Sequence, residues 1–114
     1  MKKKLIALLT LCIPMVANAA YIGNQTPAKL FGAASMHFGI SSPPADTCDY
    51  FGRHFTFDAT TAGGKNMLSI LVAATMAKKN IDIWYEVSTT PGTTEKNGCT
   101  YNTLAKINLI GLRP

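Results

Sequence analysis

Charged residues are scarce in this chain of 114 residues: they make up 15% of it, as 11 lysines and arginines and 6 aspartates and glutamates. Three of the lysines form a cluster at the N-terminus, Lys2–Lys4, and setting them aside leaves 8 basic residues against 6 acidic ones, a net charge of +2. A protein that binds nucleic acid needs a basic patch on its folded domain. The sequence shows no such patch, so we expect no nucleic-acid partner.

The residue patterns that support catalysis or metal binding are also missing. Gly63-Gly64-Lys65 is followed by Asn66, where a phosphate-binding loop needs serine or threonine, and Ala59 stands in place of its first glycine. No H-E-x-x-H pattern and no close cysteine–histidine spacing indicates a metal site. The two histidines, His37 and His54, fall in different predicted strands; either could pair in space with Asp46, Asp49 or Asp58, but no residue pattern indicates such a pair. We therefore expect no catalytic residue, no metal and no cofactor, in a protein that is not an enzyme.

Apolar runs long enough to cross a membrane, about 20 residues, are absent as well. The run Leu5–Val16 follows the lysine cluster and precedes Ala17-Asn18-Ala19, which is the three-part order of a secretory signal. We predict a signal peptide over 1–19, cleavage before Ala20, and one domain over 20–114 with no membrane span, located in the periplasm or outside a bacterial cell. The alternative is an uncleaved membrane anchor.

Cysteine is rare, with three residues, and Cys12 lies within the predicted signal peptide. Cys48 and Cys99 remain, and in an oxidising compartment two such cysteines are expected to form a disulfide. A loop of this length would give the folded domain about 4 kcal/mol on the chain-entropy account. A metal pair or a reactive thiol are the alternatives.

One helix is predicted over Ala62–Lys78. Its apolar residues recur at helical spacing: Met67, Ile70, Leu71 and Ala74. Thr60 or Thr61 is expected to cap the first turn, and Asn80 to take the left-handed position after the last. The helix is apolar over more than one face, so we expect a second copy of the chain to cover part of it; the alternative is that a small monomer's core absorbs the whole face.

The remaining elements are predicted to be extended. The predicted strands are Ala28–Ile40, Cys48–Phe57 (one bent strand or two short ones), Ile81–Val87 and Tyr101–Leu112, after a polar lead-in over Ala20–Pro27. A helix between the third and fourth strands of a strongly bent sheet is typical of an OB-fold. We therefore predict a β-rich α+β domain, a five-stranded OB-fold-like barrel plugged by one helix.

Aromatic residues on the fourth predicted strand are candidates for ligand contact. Trp84, the single tryptophan, alternates with apolar residues and lies on the polar side with Asp82 and Glu86. Tyr85 lies on the apolar side, where a core position with its hydroxyl at a rim is expected. For Trp84 two interpretations stay open: packing against another subunit or under the 88–98 loop, or contact with a ligand such as the apolar face of a sugar.

Two stretches of the chain resemble a known family. Gly64-Lys65-Asn66-Met67-Leu68-Ser69-Ile70-Leu71-Val72-Ala73-Ala74 and Lys79-Asn80-Ile81-Asp82-Ile83-Trp84-Tyr85-Glu86 resemble the B subunit of subtilase cytotoxin and its small secreted relatives. The order of helix and strand is similar to that of type II heat-labile enterotoxin B subunits. Cys48 before the helix and Gly98-Cys99 after the strand fit a disulfide common among the small relatives. The resemblance covers about residues 45–112.

The resemblance implies a ring pentamer of OB-fold subunits that binds cell-surface glycans, often sialylated, and carries a separate enzymatic A subunit. It places Tyr85 at the tyrosine of the family's sugar site, with Trp84 beside it. Gly32 occupies the position of the family's serine, and Ser35 is a serine nearby. The ligand-binding residues are therefore predicted to be Tyr85, Trp84 and Ser35. A secreted structural or interaction protein without a sugar site is the alternative function.

Overall fold

Alternating apolar residues and one helical repeat fold the part of the chain that the structure describes, residues 19–114, into six strands and one helix. The structure is a computed structural model. The elements are β1 (Ala19–Gln25), β2 (Pro27–Gly32), β3 (Ser35–Ile40), β4 (Phe55–Asp58), α1 (Ala62–Ala77), β5 (Ile81–Glu86) and β6 (Ala105–Leu112). The predicted signal peptide lies outside the described residues, apart from Ala19, which is the first residue of β1.

The strands form one mixed sheet in the order β1-β5-β6-β4-β3-β2. Only β4 and β6 run parallel, and the other neighbours are antiparallel. The two strands at the ends of this order, β1 and β2, are consecutive in the sequence and meet at Thr26, whose carbonyl accepts the N–H of Ser41 at 3.1 Å. The β-rich α+β class is confirmed. The strand count is six rather than five, and the helix follows the fourth strand rather than the third.

The additional strand comes from the segment predicted to be a polar lead-in. The side chains of β1 contribute little to the core, since Ala20 and Ile22 are only partly buried. The segment is a strand because its backbone pairs with β5, which its own sequence pattern does not indicate. Pro27 begins β2 instead of ending a loop, as a first strand residue needs no N–H in the ladder. The single extended segment expected over Ala28–Ile40 is a hairpin, β2 and β3.

Two predicted strands are shorter than expected. Phe51 and Gly52 have φ values of 55° and 87°, so the chain turns there and β4 begins only at Phe55. Tyr101 lies in a turn, and the last strand begins at Ala105. In both segments the apolar content predicts a strand, although the backbone turns within the segment.

Capping determines where the helix begins and ends. Thr61 is the N-cap, as predicted, and its hydroxyl accepts the N–H of Gly64 at 2.9 Å. The left-handed position after α1 is taken by Lys78, with φ 56°, so the prediction for Asn80 is wrong. The Asn80 side chain is engaged elsewhere, since it donates to Asn24 Oδ1 and accepts from Thr26 Oγ1, both at 2.8 Å.

The core lies between the helix and the inner face of the sheet. Its largest fully buried side chains are Tyr85, Phe38, Phe55, Leu71, Ile81 and Ile83. The helix packs against β6 and β2, and its outward side leaves Val72 40% and Met76 79% exposed. None of the helices in residues 19–114 has the length and apolar content needed to cross a membrane.

A disulfide joins Cys48 to Cys99, as predicted. With Leu104 the two cysteines form a small buried cluster separate from the main core. The bond holds the long loop between β5 and β6 against the segment that precedes β4. The Ser88 hydroxyl donates to the Thr103 carbonyl at 2.6 Å and fixes the two ends of the same loop to each other.

Candidate functional site

A row of side chains crosses one face of five strands. Successive neighbours in it are direct partners in the strand ladders: Phe31, His37, Thr56, Lys106 and Glu86. Directly opposed residues project to the same face of a sheet, so the row is continuous. The row begins with the aromatic ring of Phe31 at the β2 edge. It continues through the uncharged hydrogen-bonding side chains of β3 and β4 to the charged side chains of β6 and β5.

A cleft of about 470 Å³ lies over the middle of this row, between β4, β6 and the start of the helix. Its hydrogen-bonding residues are Ser35, His37, Thr56, Asp58, Thr61, Glu86, Asn102, Lys106 and Asn108. Its apolar wall consists of Phe57, Met67 and Ile107. Tyr101, from the loop between β5 and β6, completes the lining and is 51% exposed. We refer to these residues as the cleft.

His37 is the most distinctive side chain of the cleft. Its Nε2 is buried without a hydrogen-bond partner, the one such side-chain atom found in residues 19–114. Its ring lies 5.7 Å from that of Tyr101, centroid to centroid. Burial, and then the charge of Arg53, lower the pKa of His37, so the neutral imidazole prevails near neutral pH. Leaving a buried polar atom unpaired costs free energy, and His37 carries this cost at the edge of the cleft.

Charged groups lie around the rest of the cleft. Asp58 accepts from the hydroxyl and the N–H of Thr60 at 2.6 and 2.8 Å, and these two bonds lower the pKa of its carboxyl group. Glu86 and Lys106 are opposed partners on β5 and β6, and both are exposed. The cleft therefore offers hydrogen-bond donors and acceptors side by side, which suits a ligand rich in hydroxyl groups.

The structure places one of the three predicted ligand residues in the cleft. Ser35 lines it, opposite Asp58 in the ladder of β3 and β4. Tyr85 is 2% exposed; its hydroxyl donates to Asp46 Oδ1 at 2.8 Å, and burial followed by this carboxylate raises its pKa. Trp84 is 39% exposed and packs on Tyr21 of β1, with ring centroids 4.7 Å apart. Neither Tyr85 nor Trp84 lines the cleft.

The other residues of the cleft were missed as ligand contacts in the sequence, among them His37, Tyr101 and Lys106. The alternation of β3 held a signal for His37, since Ser35 and His37 alternate with the buried Met36 and Phe38 and must point to the opposite side. No sequence signal brings Lys106 beside them, because that depends on the parallel pairing of β4 with β6.

His54 contributes to the fold rather than to the cleft. Its buried Nδ1 accepts the N–H of Ile40 at 3.1 Å, and its Nε2 lies 3.9 Å from Asp49 Oδ2. Burial lowers the pKa of His54 from 6.5, and the Asp49 carboxylate opposes only part of that effect. Protonation at Nδ1 would also remove the acceptor that Ile40 needs.

This arrangement predicts a pH-dependent stability. In the folded protein the pKa values of both histidines lie below 6.5, the ordinary value expected in the unfolded chain. Their contribution to the free energy of unfolding is therefore complete above pH 6.5 and is lost as the pH falls toward the pKa values of the folded state. The free energy of unfolding, measured in urea, should therefore decrease from about pH 7.5 to about pH 5.5. Asp58 and Asp82 titrate below this window, since their pKa values are lowered from 3.8.

His54→Asn tests the assignment, because an asparagine Oδ1 can take the place of Nδ1 as acceptor without titrating. The variant should show a smaller loss of stability over the same pH interval than the wild type. Equal losses in the two proteins would mean that His54 does not contribute to the pH dependence.

Within residues 19–114 no three histidine, cysteine, aspartate or glutamate side chains lie close enough to hold a metal ion. Comparisons of the chain with protein-family models, curated proteins and solved structures found no match. The function must therefore be argued from the cleft.

Proposed function

We propose that this chain is a secreted or periplasmic, non-enzymatic binding protein that holds a glycan in the cleft. The observation that carries the proposal is the position and lining of the cleft: hydrogen-bonding groups from four strands, an apolar wall and one exposed tyrosine. Sugars have the matching chemistry, with hydroxyl groups around the ring and apolar C–H faces that pack on aromatic side chains.

The topology supports an OB-fold as the scaffold. If β1 and β2 are taken as one strand bent at Thr26, the sheet has five strands and the helix lies between the third and the fourth. OB-folds bind oligosaccharides and oligonucleotides on the face of their second and third strands, helped by the loop between the fourth and fifth. In this numbering those elements are β3, β4 and the loop that carries Tyr101 and Asn102, which all line the cleft.

Lys106→Met gives a direct test of the cleft. The variant keeps the apolar stem of an exposed side chain and removes an ammonium group that would donate to sugar oxygens. A charge-assisted hydrogen bond is worth about 1.5 kcal/mol or more, so glycan binding should weaken at least about tenfold. The measurement is a glycan array of the mature protein, followed by titration of the glycan that gives the strongest signal.

Lys79→Met is the matched control, since Lys79 is an exposed lysine at the far end of the helix and does not line the cleft. Trp84→Ala is a second control, because Trp84 packs on Tyr21 instead. Both should bind as the wild type does. If Lys106→Met also binds as the wild type does, the cleft is not the glycan site.

A secreted interaction protein without a sugar site is the alternative, and one surface favours it. Tyr21, Trp84 and Leu109 are direct neighbours across β1, β5 and β6 and are 51%, 39% and 53% exposed. A row of exposed apolar side chains is typical of a surface that contacts another protein. An array on which no glycan binds the wild-type protein would reject the glycan proposal and leave this one.

The toxin-like resemblance adds a homopentamer and a separate enzymatic A subunit to the proposal. The exposed Val72 and Met76 on the outward side of the helix support contact between copies of the chain. Light scattering on the purified protein tests this: a strict monomer would remove the pentamer and, with it, the toxin-like assembly.

A further inference from the structure

An aromatic surface borders the cleft, and we call it the shelf: Phe31, Tyr50, Phe51 and Arg53. The Arg53 guanidinium lies over the Phe31 ring at 4.4 Å and over the Tyr50 ring at 4.9 Å, measured to the centroids. Tyr50 and Phe51 meet edge to face, with centroids 4.8 Å apart. The four side chains therefore form one continuous patch with a cation at its centre.

The shelf and the cleft are parts of one surface. Phe31 is opposed to His37 in the ladder of β2 and β3, so the row of cross-strand neighbours beneath the cleft continues directly onto the shelf. Tyr101 bridges the two on the other side, since its ring centroid lies 5.7 Å from that of His37 and 6.4 Å from that of Tyr50. A ligand that leaves the cleft in this direction meets the shelf next.

The rings of the shelf are held outward. Phe31 is 49% and Phe51 55% exposed. Phe51 has a φ of 55°, a conformation that is unfavourable for a bulky residue and that glycine or asparagine would adopt more easily. Its N–H donates to Glu95 Oε1 at 3.2 Å, and its carbonyl accepts from Lys29 Nζ at 3.5 Å. The surrounding groups thus hold a strained residue with its ring in solvent.

Arg53 brings hydrogen-bonding capacity to this patch. Its Nε donates to the Tyr50 carbonyl at 3.1 Å. Within residues 19–114 no carboxylate lies within 4.0 Å of its guanidinium, and no hydrogen bond from its terminal nitrogens is formed. A planar guanidinium held between two rings keeps its remaining donors in a fixed direction. The shelf therefore combines the two features that bind a pyranose, an aromatic face and fixed donors.

We propose that the shelf is a second sugar subsite, so that the ligand is an oligosaccharide whose adjoining sugar packs on Phe51 and accepts hydrogen bonds from Arg53. The inference rests on the proposed function, in which the cleft holds the first sugar. It adds that a monosaccharide fills only part of the site, and that chain length governs affinity.

Phe51→Asn tests the shelf without weakening the fold, because asparagine tolerates a positive φ better than phenylalanine does. The probes are a set of monosaccharides and the di- and trisaccharides that extend each of them, all presented on one array. Wild-type binding should rise about tenfold from a monosaccharide to its extended forms, the contribution expected of one aromatic contact. Phe51→Asn should lose this gain while its melting temperature stays equal or rises.

Tyr21→Asn is the matched control: it makes the same change at an exposed aromatic residue that belongs to neither surface, and it should keep the gain with chain length. If Phe51→Asn also keeps the gain, or if the wild type binds short and extended glycans equally, the shelf is not a subsite. In that case a loss of binding in Lys106→Met would still support the cleft. If no glycan binds the wild-type protein, the cleft proposal is wrong and the shelf proposal is rejected with it.

Discussion

Replacing Cys48 and Cys99 together with alanine should lower the melting temperature of the domain over residues 20–114 by roughly 15–30 °C. Closing a loop of this length in the unfolded chain is worth about 4 kcal/mol, and in a domain of this size each kcal/mol shifts the melting temperature by about 4–8 °C. The disulfide also lies in a small buried cluster apart from the main core, so little apolar packing besides the disulfide holds the loop between β5 and β6 in place.

Differential scanning calorimetry with and without reductant measures the effect and supplies its own control. Reductant should bring the wild type close to the double variant and leave the double variant unchanged. A wild-type protein whose melting temperature does not respond to reductant, although its thiols become free, would contradict the predicted contribution.

Gly64→Ala should be the most damaging small substitution in the helix, with a loss of about 3 kcal/mol in the free energy of unfolding. A Cβ at this position would lie 1.8 Å from the Asp58 carbonyl oxygen and 2.9 Å from Thr61 Oγ1. The first contact is with backbone, which cannot move aside as a flexible side chain would. The second is with the hydroxyl that caps the helix through the N–H of Gly64. Both the close packing of the helix start and its cap are therefore lost.

Gly63→Ala is the matched control, one residue earlier in the same helical turn. A Cβ there meets nothing within 4 Å, so the variant should be unchanged or more stable by up to about 1 kcal/mol, because alanine favours the helix over glycine. Urea unfolding of the two variants decides the comparison. If the two alanines have equal effects, the close approach of the helix to Asp58 is not what selects glycine at position 64.

The helix and β5 were predictable because their order is local. An apolar residue every three or four positions specifies one helix face, and the strict alternation of Ile81, Ile83 and Tyr85 specifies the buried side of a strand. The cap at Thr61 depends only on a side chain and an N–H three residues away. The disulfide was predicted from the oxidising compartment that the N-terminal pattern leads us to expect and from the small number of cysteines, without any knowledge of the fold.

The elements that were missed depend on partners distant in the chain. β1 carries few buried side chains and exists as a strand because β5 offers it a ladder. Lys78 takes the left-handed position after the helix, and Asn80 is engaged instead by Asn24 and Thr26 from the other end of the domain. Local pattern contains no information on either partner.

The sequence by itself determined the fold class, the helix, the strand after it and the disulfide, because each follows from local periodicity or from composition. The tertiary structure alone decided which residues form the candidate site. His37, Thr56 and Lys106 come from three segments, and only the pairing of β3 with β4 and the parallel pairing of β4 with β6 align them in one row. A site assembled from cross-strand neighbours has no spacing in the sequence, because register is set by the packing of the whole sheet.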